Sequence, residues 1–249
     1  TLIVTDVADS LSFNVVDTQT ESPGFSGTRT NCTINTSGEL SIALSGGEVL
    51  PAATYQFSNA VDLGAVYPSR ISAYIEARGY ALSDFIDARV QLIDTWEDFD
   101  GASVETVTGL LYMRTTNDNP SGSPTWTDWK PFFVGEYVAR GYQFKLELTS
   151  ANVDHNIGIS NLSVTIDMPD RVESKQGLVS GAGTYSVTYT DGFKATPTIG
   201  VTANNMASGD YYTISNQTPS GFDIIFKNTA GTAVSRTFDV LAKGYGRAI

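Results

Sequence analysis

His155 is the only histidine of the chain and Cys32 the only cysteine, so a Ser-His-Asp or Cys-His nucleophilic arrangement would have to run through them. His155 sits in "NVDHN", a turn-forming string, and no nucleophile motif accompanies it. One imidazole and one thiolate cannot by themselves complete a closed zinc site. Carboxylates are more plentiful. "DTWEDFDG" brings Asp94, Glu97, Asp98 and Asp100 close together, and such oxygens could surround a calcium ion. The string lacks the spacing of a calcium loop, and nothing in it selects a carboxylate pair for glycosidic cleavage. An acidic surface loop is the simpler account. "GAGTY", residues 181–185, lacks the lysine and the following helix of a phosphate-binding loop and reads as a turn. The expectation is a chain with no catalytic residues, no metal and no cofactor.

The remaining chemistry is aromatic. In "PTWTDWKPFFVGEYVARGYQFKLEL", residues 124–148, Trp126 and Trp129 are an odd number apart. On a strand they would point to opposite faces, one inward and the other toward solvent or a partner. The competing account buries both rings in a core or subunit interface. A second cluster, "NNMASGDYY", gathers Asn204, Asn205, Asp210, Tyr211 and Tyr212 around a loop without lysine or arginine. Amides, a carboxylate and phenols suit the hydroxyls and C–H faces of a neutral glycan. Turn formation by Asn, Gly and Asp competes with that reading. Alternation also requires one of the two tyrosines to face inward.

These residues need strands to hold them. Period-two alternation dominates: Ile71, Ala73, Ile75 and Ala77 share one face of "RISAYIEA", and Tyr142, Phe144, Leu146 and Leu148 share one face of "YQFKLELT". "ARVQLIDTW", "TGLLYMRTT" and "LSVTIDM" read the same way, with turn clusters such as "SGGE" and "NDNPSGSP" between them. No amphipathic helix of ordinary length is evident. The pattern predicts an all-β chain. Residues 1–19 read as the remnant of a preceding element, and 20–170 as a jelly-roll-like antiparallel β-sandwich. Residues 171–249 read as a small β-sandwich. "MPDRVESKQG", residues 168–177, reads as an exposed linker between the two.

Charge supports two units. Of the 249 residues, 1–170 carry 22 acidic and 8 basic side chains, and 171–249 carry 5 and 7. The acidic first part repels nucleic acid and anionic membrane surfaces, and the second lacks a dense basic patch. No apolar run approaches the ~18 residues of a membrane span. Neither nucleic-acid binding nor membrane insertion is expected. Cys32 has no intrachain partner, so stability must come from packing or assembly. The chain begins at Thr1 without a methionine or a signal-like segment, as expected of a fragment or processed product.

Four stretches together suggest a family: "SPTWTDWKPFFVGEYVARGYQFKLEL", "HNIGISNLSVTIDMPDRVES", "FKATPTIGVTANNMASGDYYTISN" and "GTAVSRTFDVLAKGYG". The chain, from about residue 20 to residue 246, resembles the C-terminal region of tail-tip (host-specificity) proteins, or central tail fibres, of long-tailed bacteriophages. The last 70 or so residues are similar in outline to the H-type lectin domain. Gly183 to Pro197 follow its opening, Gly221-Phe222 its "GF" strand, and Ala242-Lys243-Gly244 its ending. The resemblance implies a homotrimeric module at the distal end of a virion tail, joined to other tail-tip proteins. Its loops would meet a glycan or protein receptor on the host cell. A purely structural trimeric fibre segment is the alternative, and a polysaccharide-degrading enzyme comes third.

Overall fold

The computed structural model describes residues 2–3, 13–82, 92, 104 and 106–249. Apart from Leu92, the expected strand over 88–96 lies outside the described residues, as do the carboxylates Asp94, Glu97, Asp98 and Asp100. So does most of the 1–19 segment. Among the described residues there is no helix. In chain order the strands are β1 (Leu2–Ile3), β2 (Phe13–Thr20), β3 (Thr28–Thr30), β4 (Cys32–Ile34), β5 (Leu40–Ile42), β6 (Leu44–Ser45), β7 (Glu48–Val49), β8 (Ala52–Gln56) and β9 (Val61–Ala81). They continue with β10 (Val107–Thr116), β11 (Lys130–Pro131), β12 (Gly135–Ser150), β13 (His155–Val179), β14 (Tyr185–Thr188), β15 (Thr198–Asn204), β16 (Tyr211–Thr218), β17 (Gly221–Lys227) and β18 (Thr237–Tyr245). The fold is all-β, built of antiparallel sheets, as the alternation predicts.

Two compact units emerge. The first takes Val16–Gly64 and the described parts of Ile71–Ile166. At its centre β12 pairs with β10 from Val107↔Ser150 to Thr116↔Gly141 and with β8 from Lys145↔Gln56 to Thr149↔Ala52. Alternation places Leu111 and Met113 of β10, Phe144, Leu146 and Leu148 of β12, and Ala53 and Tyr55 of β8 in the interior. Leu40 and Ile42 of β5 and Ile157 and Ile159 of β13 are buried as well. Each large apolar side chain so buried contributes about 1.5–3 kcal/mol. Gly109 leaves room where the side chains of Leu148, Ile157 and Ile159 converge.

Polar groups in this interior are partnered, as burial demands. Glu21 is buried and accepts hydrogen bonds from the Tyr55 hydroxyl and from Ser58, through its N–H at 3.2 Å and its Oγ at 2.9 Å. Glu39, at the entrance to β5, is gripped by Arg78 through Nε at 2.7 Å and Nη2 at 2.9 Å, and by Asn35 Nδ2 at 2.7 Å.

The second unit takes residues 13–15, Ala65–Arg70 and Asp167–Ile249. It is a two-layer sandwich. In one layer β18 pairs with β13, from Asp170↔Tyr245 to Val179↔Thr237, and with β15, from Thr198↔Lys243 to Asn204↔Thr237. The other layer is the three-stranded sheet β14-β17-β16. Between them lie Val187, Tyr189, Phe193, Phe222, Ile224, Phe226, Phe238, Val240 and Ala242. Edge-to-face pairs such as Tyr185–Phe238, with centroids 5.7 Å apart, add about 0.5–1.5 kcal/mol each.

The linker expected over residues 168–177 is not a linker. It is the distal half of β13, hydrogen-bonded along β18. Its alternation escapes a hydropathy reading because the charges turn inward. Arg171, Glu173 and Lys175 are half-buried while Val172 and Ser174 are exposed. Arg171 lies 4.4 Å over the Phe193 ring, donates to the Asp191 and Gly192 carbonyls, and pairs with Glu173. Glu173 in turn accepts from the Thr190 N–H at 2.8 Å.

Candidate ligand-binding surfaces

The loop from Asn204 to Tyr212 joins the edge strand β15 to the edge strand β16. Asn204 ends β15 and is exposed. Asn205 adopts a left-handed φ of 52°, where its side chain caps the Thr237 N–H at 3.1 Å. Asn is one of the few non-glycine residues that tolerate this conformation, because its amide can bond locally. The loop then turns at Asp210, whose N–H donates to the Ala207 carbonyl.

Asp210 turns its carboxylate inward. Its side chain is only 2% exposed. The carboxylate accepts the Ala207 N–H at 2.8 Å and both Nε, at 2.7 Å, and Nη2 of Arg236. The Ala207 N–H and the Arg236 guanidinium hold its carboxyl below the usual aspartate range. These donors occupy Oδ2 of a buried side chain, so Asp210 braces the loop.

Tyr211 and Tyr212 are 44% and 39% exposed. Their partners show which way each leans. Tyr212 is opposite Phe226, which is fully buried, and its ring lies 5.5 Å from that ring. Tyr211 is opposite Lys227, on the other face of β16. Tyr212 therefore closes the edge of the core while Tyr211 stands outside it. Of the five residues expected here, Asn204 and Tyr211 are exposed and take no part in these braces.

Trp126 and Trp129 do not point to opposite faces. Odd spacing separates faces only on a strand, and residues 124–129 are irregular, entering β11 only at Lys130. The segment is tied to β10 through Thr127, whose N–H donates to the Thr115 carbonyl at 2.9 Å and whose Oγ1 accepts the Thr115 N–H at 3.0 Å. On either side of that tie the two indoles close on one side chain. The Arg114 guanidinium lies 5.1 Å from the Trp126 ring and 4.6 Å from the Trp129 ring. Both tryptophans are half-buried, neither in the core nor free.

Arg114, Gln143 and Lys145 complete this surface, and none of them stands out in the sequence. Arg114 Nε and Nη2 donate to Gln143 Oε1 at 2.8 and 2.5 Å. Lys145 Nζ lies 5.0 Å from Trp129 and 5.2 Å from Tyr112, and pairs with Glu147 at 2.5 Å. Such cation–ring contacts contribute about 0.5–1 kcal/mol at exposed sites and more when desolvated. Burial moves the Arg114 guanidinium down from its ordinary value. The alternation of "YQFKLELT" places Gln143, Lys145 and Glu147 on the outer face. What the spacing lacks is the register, Arg114↔Gln143 and Tyr112↔Lys145, that sets the cations side by side.

Of the adjacent phenylalanines, Phe132 packs edge-on to Phe144 at 6.2 Å while Phe133 is 72% exposed. His155 shares a 2.6 Å hydrogen bond between its Nδ1 and the Thr106 hydroxyl. Compared with protein-family models, with curated proteins and with solved structures, the chain matches none significantly.

Proposed function

We propose that this chain is a receptor-binding module of a bacteriophage tail tip or tail fibre, acting at the bacterial surface without catalysis. The reading begins from the resemblance of four long segments to the C-terminal region of host-specificity proteins. The structural observation that carries it is the braced loop of the second unit. There Asn204 and Tyr211 are exposed, and the Asp210–Arg236 pair and the Asn205 cap hold the loop that presents them. A rigid loop offering an amide and phenol faces binds without paying the full ordering cost of a mobile one.

The ligand of that loop is a neutral portion of a host surface glycan. Hydroxyls pair with the Asn204 amide, and a C–H face lies on Tyr211. Single sugar sites are weak, so the module works as a homotrimer beside other tail-tip proteins, three copies raising avidity. The test uses the full chain with Asn204→Ala and Tyr211→Ala combined, its secondary structure verified by circular dichroism. The wild-type chain competes with intact virions for host cells, and the double variant loses that competition. Full competition by the folded variant would move the site elsewhere. A wild-type chain that neither binds cells nor blocks virions would identify a structural spacer instead. Reducing ends released from host polysaccharide would identify an enzyme.

A further inference from the structure

We propose that Trp126, Arg114 and Trp129 form a second binding site, in the first unit, for a saccharide that carries a carboxylate.

Arg114 has more donors than Gln143 uses. A guanidinium has five N–H groups in a planar fork. Gln143 Oε1 takes the edge formed by Nε and Nη2. The edge formed by Nη1 and Nη2 has no partner among the described residues. Two parallel N–H groups on that edge match the two oxygens of a carboxylate, the geometry in which arginine binds such groups most strongly. Arg78, Arg140, Arg171, Arg236 and Arg247 all have a carboxylate of the chain within ion-pair distance. Arg114 has none among the described residues, although the chain carries 27 acidic side chains to 15 basic. Its position between two rings is fixed, so a ligand would meet a preorganised cation.

The aromatic surroundings decide the class of ligand. Two indoles border the Arg114 guanidinium, with Tyr112 beside the neighbouring Lys145, and such rings suit the C–H faces of a pyranose. Charge counts against a densely anionic partner. Lys145 is already paired with Glu147, whereas Arg114 has no ion-pair partner among the described residues. Around it lies a chain of net charge -12. Its field opposes polyanions such as nucleic acid or acidic peptide, while a single carboxylate on a neutral ring is opposed far less. The site does not depend on the phage reading, because it belongs to a different unit from Asn204 and Tyr211 and is tested without cells.

The experiment titrates the full chain with the methyl glycosides of glucuronic, galacturonic and N-acetylneuraminic acid, and with methyl glucoside and methyl galactoside. Tryptophan fluorescence reads the indoles directly. At least one acidic glycoside binds about tenfold or more tightly than the neutral ones, the worth of a charge-assisted bond. Arg114→Gln abolishes that preference. The proposal fails if no acidic glycoside binds, if acidic and neutral glycosides bind alike, or if the preference survives in Arg114→Gln. Binding of tetraglutamate with no glycoside would assign the patch to an acidic peptide and overturn the sugar. Should Arg114→Gln not fold, Arg114→Lys keeps the charge but not the fork, and an unchanged preference there is equally fatal.

Discussion

At the scale of single residues, Asp210 shows how a promising side chain can be engaged within the fold, here by Ala207 and Arg236. Because its carboxyl titrates below the usual range, its ion pair stabilises the fold fully above the ordinary aspartate value. That contribution is lost as pH falls through the lowered folded value. Asp210→Asn should lower the melting temperature at neutral pH and narrow the gap between variant and wild type on acidification. A gap independent of pH would show that the pair contributes little. Cys32 makes a second case. Burial pushes its thiol up to about 11, against smaller opposing effects from a Thr30 backbone hydrogen bond and the Arg29 charge. Reaction with a disulfide reagent near neutral pH should be slower in the native protein by roughly a hundredfold than in denaturant. Equal rates would mean that the thiol is not shielded.

Among the elements, β13 changes the expected behaviour of the chain most. Its distal half carries Arg171 and Lys175 within a hydrogen-bonded ladder. Trypsin acts on segments that open, and laddered strands open rarely. The native protein should resist cleavage at both residues. Early cutting there would contradict the strand. The β14–β17 pair depends on one glycine. A Cβ on Gly221 would overlap the Val187 carbonyl oxygen across the strands. The neighbour is backbone and cannot swing aside, so Gly221→Ala should destabilise by about 2 kcal/mol, read as a shift of the urea midpoint at unchanged slope. A shift near zero would mean that the pair can separate without loss.

For the whole molecule, the second unit is not contiguous in sequence. Tyr67 is buried with Lys194 Nζ 5.5 Å from its ring, and the Ile249 N–H donates to the Val66 carbonyl at 3.0 Å. Asn14 bonds the Met168 carbonyl and Asp170. A fragment of residues 167–249 lacks all these partners and starts from a small core, so it should show no cooperative thermal transition by itself. Adding back a peptide spanning residues 61–74 should raise its helix-free, strand-type circular dichroism signal. A fragment that melts cooperatively alone would show that 65–70 are dispensable.

Much of the fold was determined by the sequence. Alternation in "YQFKLELT" and "TGLLYMRTT" settled which face of β12 and β10 is buried, because a pleated strand sends successive side chains to opposite sides. The all-β class followed from that and from the lack of a helical period. Candidate residues were legible only by type: Tyr211 and Tyr212 are both exposed, and only Tyr212 leans its ring on Phe226. Tertiary structure decided the rest. Asp210 met Arg236, 26 residues away, and Trp126 and Trp129 closed on Arg114 instead of diverging. The β13 ladder turned a run of charges into a strand. In each case the deciding partner is distant in the chain, and period-two reasoning carries no information about register between strands. Hydrogen bonds and ring contacts across that register assign each polar side chain its task.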